Sequence, residues 1–428
     1  MFQSIKSTQF FVGFSLLFCF WGSFFQQSIW SNALFVYVGL ILILGLSLCC
    51  LLNNSQCLRS VNIYAAIWIP YLLGTMISVI ISADIERFTY WFLCFVLIVT
   101  ARTIELTKSI PYRLLWISGI VCLVGVWVQI LLPDIYNEHI VGIFMNAQTI
   151  KNWARWSYGY AGFTYQLGMT AIILVYFEAF ILYFWKCDKK YFRAAVLILT
   201  IISIFLTGKR MLSVLAVIAP IGVYVASDGS IGKKKRNTLL AIAIGLIVLV
   251  AIYINIDAFA DNKVFGRIAR GIIDLQQGED ITTSRSDLWG VAVETWKKSP
   301  IFGVGVGKIK AAAGIRTDAH NAFVQVLCER GVVGLLLFVF PLIISYANTV
   351  SLFKRNGNKT ENVSLKFSFF IQTIFILYSL TGNTTTDRHC FMMYFLAVGI
   401  MIVNTRKDYC EEPLINGKNR NFDVSQSN

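Results

Sequence analysis

The sequence predicts an all-α, polytopic membrane protein, and three observations carry that expectation. The 428 residues are 57% hydrophobic and only 14% charged, with a mean hydropathy of +0.66, whereas a soluble domain is about a quarter charged. Apolar runs recur from one end of the chain to the other, many near the roughly 20 residues a helix needs to cross a bilayer. The runs also lack the alternation of polar and apolar residues that marks the strands of a membrane barrel.

About twelve spans are expected, at about 9–25, 33–52, 61–82, 89–104, 114–132, 163–185, 191–207, 211–227, 238–258, 332–350, 366–381 and 389–404. The shorter runs can be tilted or fused, which leaves an error of about one in the count. The first run follows Lys6 in the manner of a signal peptide. No small-residue cleavage site follows "FCFWGSFF", so it reads as a retained span.

Lysines and arginines set the orientation. With a cytoplasmic N-terminus, 21 of the 37 fall in inner loops and the tail, and six fall in short outer loops: Arg87, Lys151, Arg155, Lys209, Arg210 and Arg388. That asymmetry is the positive-inside pattern, and it places both termini in the cytoplasm. The net charge of +14 is then largely topology, in loops facing anionic headgroups, and nucleic-acid binding is not expected. The ten cysteines lie mostly in or beside spans, which argues against a disulfide framework.

Four regions are expected: transmembrane helices one to nine over 1–258, a large outer loop over 259–331, helices ten to twelve over 332–404, and a tail over 405–428. A second outer connection runs over about 133–162. Long ordered connections are more often functional than decorative. In the large loop, Ser284 and Asp287 resemble a capping arrangement, and Trp289 and Trp296, seven apart, share a helical face. Pro300 ends that helix, "FGVGVG" supplies a turn, and a second helix starts near His320. The glycines are not a dinucleotide fingerprint, since no strand precedes them. The loop therefore reads as a small helical cap.

The residues with chemical potential gather at the cap and one tight turn. A lone histidine is usually structural, but His320 sits at the expected outer boundary beside Asn321 and two residues after Asp318. A neutral imidazole there could take a proton from a hydroxyl. Three scattered histidines with no HExxH or CxxC pattern make a zinc site improbable. In "LTGKR", Lys209 and Arg210 either mark a membrane edge as snorkelling cations do or face a phosphate. Arg285, at the start of the cap helix, is a third cation at an anion-favouring helix terminus. Together they suggest an outer-leaflet site for a phosphorylated lipid, since the guanidinium fork suits phosphate. Glu178, inside a span, is either a proton carrier or a hydrogen-bonding partner of a neighbouring helix.

The stretch "SRSDLWGVAVETWKKSPIFGVGVGKIKAAAGIRTDAHNAFVQVLCERGVVGLLLFVF" closely resembles the signature region of the O-antigen ligase and polymerase superfamily, through Arg285, Trp289, Pro300, Gly303, Gly305, His320, Asn321, Gly331 and Gly334. "LTGKR" resembles the family's upstream arginine turn, with Lys209 where a small residue is common. The resemblance implies a GT-C-like glycosyltransferase of the bacterial inner membrane, working at the periplasmic face. Such enzymes move a glycan from undecaprenyl diphosphate to an acceptor hydroxyl. It implies that Arg210 and Arg285 stabilise the departing diphosphate and that His320 activates the hydroxyl as base or orients it. Lys209, Asn321, Arg316, Asp318, Trp289 and Arg155 are expected to bind the diphosphate or glycan. No DxD-like pair lies in the cap, so no metal and no cofactor are expected.

Ligase and polymerase share this chemistry and differ in acceptor, a lipid A–core sugar or another lipid-linked repeat. The compact signature and single large cap favour the ligase. Relatives that glycosylate proteins often carry an extra outer C-terminal domain, which is not expected here. The rival of another class is a transporter or flippase with Glu178 as proton carrier, and the lack of internal repeats argues against it.

Overall fold

The computed structural model describes residues 2–25, 33–53, 61–82, 84–101, 110–156, 159–185, 187–226, 273, 285–355 and 363–417. The expected ninth span at 238–258, the cap residues before Arg285 with the Ser284 cap, and the inner loop "GKKKRN" lie outside the described residues.

Every other expected span corresponds to a helix. They are α1 (Phe2–Phe25), α2 (Ala33–Asn53), α3 (Ile69–Ile81), α4 (Ile85–Val99) and α5 (Ile110–Leu131). After the connection over about 133–162, with its helix α6 (Ala147–Trp156), come α7 (Leu167–Tyr183), α8 (Lys190–Leu206) and α9 (Arg210–Ala226). The cap supplies α10 (Arg285–Lys297) and α11 (Ile309–Ala313), followed by α12 (Ala322–Arg355), α13 (Val363–Tyr378) and α14 (Arg388–Gly417). No strand occurs among the described residues. Four segments there are long and apolar enough to cross a membrane: Ile63–Ile81, Tyr112–Leu131, Ala322–Phe353 and Arg388–Thr405. Five further apolar helices are shorter.

Burial sorts the helices into inner and outer ones. In α7 the run Ala171–Ala179 is buried on every side, and in α14 so is Cys390–Ile402. A helix that is apolar all round belongs at the centre of a bundle or in lipid. Outer helices keep one apolar face open: Ile77, Ile80 and Ile81 on α3, Val214, Val217 and Ile218 on α9, Leu336, Phe340 and Ile343 on α12. These fall at helical spacing and form stripes too extensive for a water-facing surface. Lipid is the solvent they match, and the chain is a multi-pass, all-α membrane protein.

Aromatic packing fixes the centre. Trp68, fully buried, meets Phe338 of α12 and Phe391, Tyr394 and Phe395 of α14 at centroid distances of 5.0–6.4 Å. Edge-to-face pairs of this kind add about 0.5–1.5 kcal/mol each beyond burial. Polar side chains act as glue: Gln372 donates to Thr349 (2.9 Å) and Ser368 to the Ala397 carbonyl (2.6 Å), joining α12, α13 and α14.

α12 is broken where it leaves the cap. Gly331 has φ 65° and ψ −167° inside the otherwise continuous run. The amides of Val332 and Val333, which the break would orphan, donate to the carbonyls of Pro300 (2.9 Å) and Ile301 (3.3 Å). A Cβ at Gly331 would lie 2.1 Å from the Ile301 oxygen. The glycine of the expected signature is therefore required by close backbone approach as well as by its left-handed φ. The amides of Val304 and Gly305 continue the seam, donating to the carbonyls of Cys328 and Glu329 (3.0 and 2.8 Å). Arg330 stacks its guanidinium over Tyr71 (4.5 Å) and Trp91 (5.1 Å). The charged threshold "CERG" thus clamps the cap to α3, α4 and α12.

Candidate functional site

Five chain segments meet at one end of the bundle. The turn between α8 and α9, the start of α7, the start of α10, the residues before α12 and the turn after α13 enclose a cavity of about 430 Å³. Lys209, Arg210, Arg285, Trp289 and His320 all line it. Five of the nine residues expected to act chemically therefore converge, although they come from positions 209 to 320 in the chain.

Each is held by local chemistry. The α8–α9 turn needs a left-handed residue, which Gly208 supplies at φ 67°. Arg210 follows as the first residue of α9. Arg285 begins α10 and donates through Nη1 to the Thr381 carbonyl at 3.0 Å, tying the cap to the turn after α13. Trp289 donates to the Ala319 carbonyl at 2.8 Å, and its ring packs on Ala292, Ile309, Ala319 and Cys328. That bond holds the residue immediately before His320, which itself sits at φ 51°, a backbone state uncommon outside glycine. The Ala322 amide donates to the Ser379 carbonyl (2.8 Å), so His320 is anchored on both sides.

Cations outnumber carboxylates in the pocket, where Lys209, Arg210 and Arg285 stand with Asp387. Burial pulls the His320 pKa below its usual 6.5, and the charges of Arg285, Lys209 and Lys310 act in the same direction, with Asp318 opposing. His320 is therefore neutral at pH 7. The Arg285 pKa is also lowered, first by burial, with the charge of Arg210 contributing. Among the described residues neither arginine has a carboxylate partner. Like charges gathered in a partly desolvated cavity are unfavourable until an anion joins them.

The remaining expected residues stand elsewhere. Asn321 does not line the cavity: its Oδ1 accepts from the amides of Phe323 (3.0 Å) and Val324 (3.2 Å), the N-cap of α12. Asp318 pairs with Lys310 at 3.3 Å, and Arg316 is exposed. Arg155 falls on α6, with its side chain outside the described residues. Glu178 is fully buried on α7, with no hydrogen-bond partner for either oxygen, and is not part of the cavity. His139 is exposed beside Glu138, and His389 is buried in α14.

Sequence reasoning passed over the other half of the lining. Tyr378, Thr381, Gly382, Asn383 and Asp387 come from the turn between α13 and α14, and Gln166 and Gly168 from the start of α7. The polar run "TGNTTTDRH" between two apolar segments was the available signal. Burial raises the Asp387 pKa to about 7, with Asp318 adding to the rise and Lys209 opposing it. The apolar wall is Met169, Ile172, Met211, Leu212 and Val214. Val214 is also 48% exposed on the outer stripe of α9, so the cavity borders the lipid-facing surface.

Fold and site together define a polytopic membrane protein with a cation-rich, histidine-bearing cavity at one end of its helix bundle. Residues 195–339, about a third of the chain, match the family model described as O-antigen ligase, which supports the resemblance to the O-antigen ligase and polymerase superfamily. The matched segment runs from α8 into the membrane part of α12 and contains Lys209, Arg210, Arg285, Trp289 and His320. No curated protein matches the chain.

Proposed function

We propose that the protein is a metal-independent, inverting glycosyltransferase of the bacterial inner membrane. It transfers a polysaccharide from undecaprenyl diphosphate to a sugar hydroxyl of lipid A–core at the periplasmic face. The observation that carries this reading is the convergence of Arg210, Arg285 and His320 on a single cavity whose apolar wall reaches the lipid-facing stripe of α9.

In the reaction, the donor's polyprenyl tail stays among apolar side chains while its diphosphate enters between Arg210, Arg285 and Lys209. His320 takes the proton of the acceptor hydroxyl. The hydroxyl oxygen bonds to the anomeric carbon from the face opposite the phosphate, and the carbon–oxygen bond to phosphate breaks. The diphosphate leaves with one further negative charge, which the fixed cations stabilise. Such preorganised charge is worth about 10²–10³-fold per donor group. In this reading the large loop over 259–331 is periplasmic, the membrane regions over 1–258 and 332–404 carry the donor's tail, and both termini, with the tail over 405–428, are cytoplasmic.

Purified protein in lipid, given undecaprenyl-diphosphate glycan and lipid A–core, tests the reading. Wild-type protein should release lipid diphosphate and elongate the core, and His320→Ala should do neither. Full activity in that variant removes His320 from the mechanism. Polymerisation of donor without a core acceptor is the outcome that would assign the protein to the polymerase branch.

A further inference from the structure

Asn383 stands in the cavity from an independent direction. It lies within the turn after α13, and its main-chain carbonyl accepts from the amides of Thr386 and Asp387 (2.9 Å each) and from the Thr386 hydroxyl (3.0 Å). Arg285 holds the same turn through Thr381, and Ser379 pairs with Thr384. From this fixed base the terminal amide of Asn383 reaches Nδ1 of His320, with Nδ2 at 3.3 Å. The other end of that amide, Oδ1, is buried with no hydrogen-bond partner. The two ends of a carboxamide are isosteric, so their order is decided by hydrogen bonding rather than by shape.

We propose that Asn383 is a positioning residue: its side-chain oxygen accepts the Nδ1 hydrogen of His320, which fixes the tautomer whose Nε2 lone pair is presented to the cavity. This rests on the reading of the site as a glycosyl-transfer centre. Turning the amide gives the oxygen the imidazole donor and moves Nδ2 to the position that Oδ1 holds, so the protonated ring nitrogen decides between the two orders. A neutral imidazole has one donor and one acceptor nitrogen, and the partner of one nitrogen sets the role of the other. With the amide nitrogen facing Nδ1, Nε2 would carry hydrogen and give the cavity a fourth donor beside Lys209, Arg210 and Arg285. A hydroxyl proton would then have no imidazole lone pair to receive it. With the oxygen facing Nδ1, the cations hold the diphosphate and Nε2 accepts the proton. Asn383 lies outside the segment that matches the family model, so that match assigns it no role.

The chain's three histidines make the test direct. Protein labelled with ¹⁵N-histidine in lipid nanodiscs, with the His320 signals assigned through His320→Gln, reports which ring nitrogen is protonated. The wild type should show the Nδ1–H tautomer. Asn383→Leu should move His320 to the Nε2–H form and lower kcat by on the order of 10²-fold, with the donor KM unchanged. Asn383→Asp keeps an acceptor at Nδ1 and should retain the Nδ1–H form. It should also shift the acidic limb of the kcat profile to higher pH, against the field of Arg285, Lys209 and Lys310, with Asp318 on its side. A wild-type spectrum showing Nε2–H, or a tautomer that stays Nδ1–H in Asn383→Leu, overturns the proposal. Wild-type protein that releases no lipid diphosphate overturns the transferase reading instead, and the spectrum is independent of that result.

Discussion

Replacing Asn321 separates two roles that the sequence left together, contact with the glycan and construction of the helix that positions His320. The side-chain oxygen accepts from the second and third amides of α12, at 3.0 and 3.2 Å, and the residue is absent from the cavity lining. Loss of an N-cap costs about 0.5–2 kcal/mol, typically near 1. With two amides served, Asn321→Ala should fall in the upper half of that range. Asn321→Ser and Asn321→Asp each supply a capping oxygen and should stay within about 0.5 kcal/mol of the wild type. Urea unfolding of the purified protein in mixed micelles gives the stability differences, and transfer assays on the same preparations give kcat and KM. The capping role requires activity to follow the cap, with Ser and Asp near wild type and Ala reduced in kcat through a loosened His320. Equal loss in all three variants, with a raised acceptor KM and unchanged unfolding, would refute the capping account and return Asn321 to the glycan site.

Arg285→Lys keeps the charge but gives up the fork and the reach to Thr381, so kcat should fall about 10²-fold. Arg210→Ala should show a loss at least as large, and neither variant should change helix content by circular dichroism. Gly331→Ala places a Cβ 2.1 Å from the Ile301 oxygen at φ 65°. With ψ at −167° the backbone lies in a region essentially restricted to glycine, which costs another residue on the order of 1–3 kcal/mol, so thermal stability should drop and protease should cut the cap faster than in wild type. The Asp387 pKa is raised to about 7, so this carboxylate is neutral below that pH and charged above it. Below pH 7 the charge of Lys209 is no longer opposed, and the donor KM should fall as pH decreases through that value. Asp387→Asn should abolish this dependence.

The helices and the membrane setting were written in composition and periodicity. Apolar runs of spanning length must form helices in lipid, because the backbone can satisfy its own hydrogen bonds there in no other single-segment way. The glycines of the signature and the tryptophan at 289 were visible too, and the structure supplies their reasons: the Gly331 break and the bond from Trp289 to the Ala319 carbonyl. His320 and the two arginines could be singled out by residue type and boundary position. Their meeting in one cavity could not, since the relation between residues 210, 285 and 320 depends on how α9, α10 and α12 pack. Packing alone also assigned Asn321 to a cap and Asp318 to a pair with Lys310, and brought Asn383 and Asp387 to the site. A linear pattern specifies which residues lie at a membrane boundary. Which of them share a desolvated space is fixed by contacts between elements distant in the chain, and only the tertiary structure holds that information.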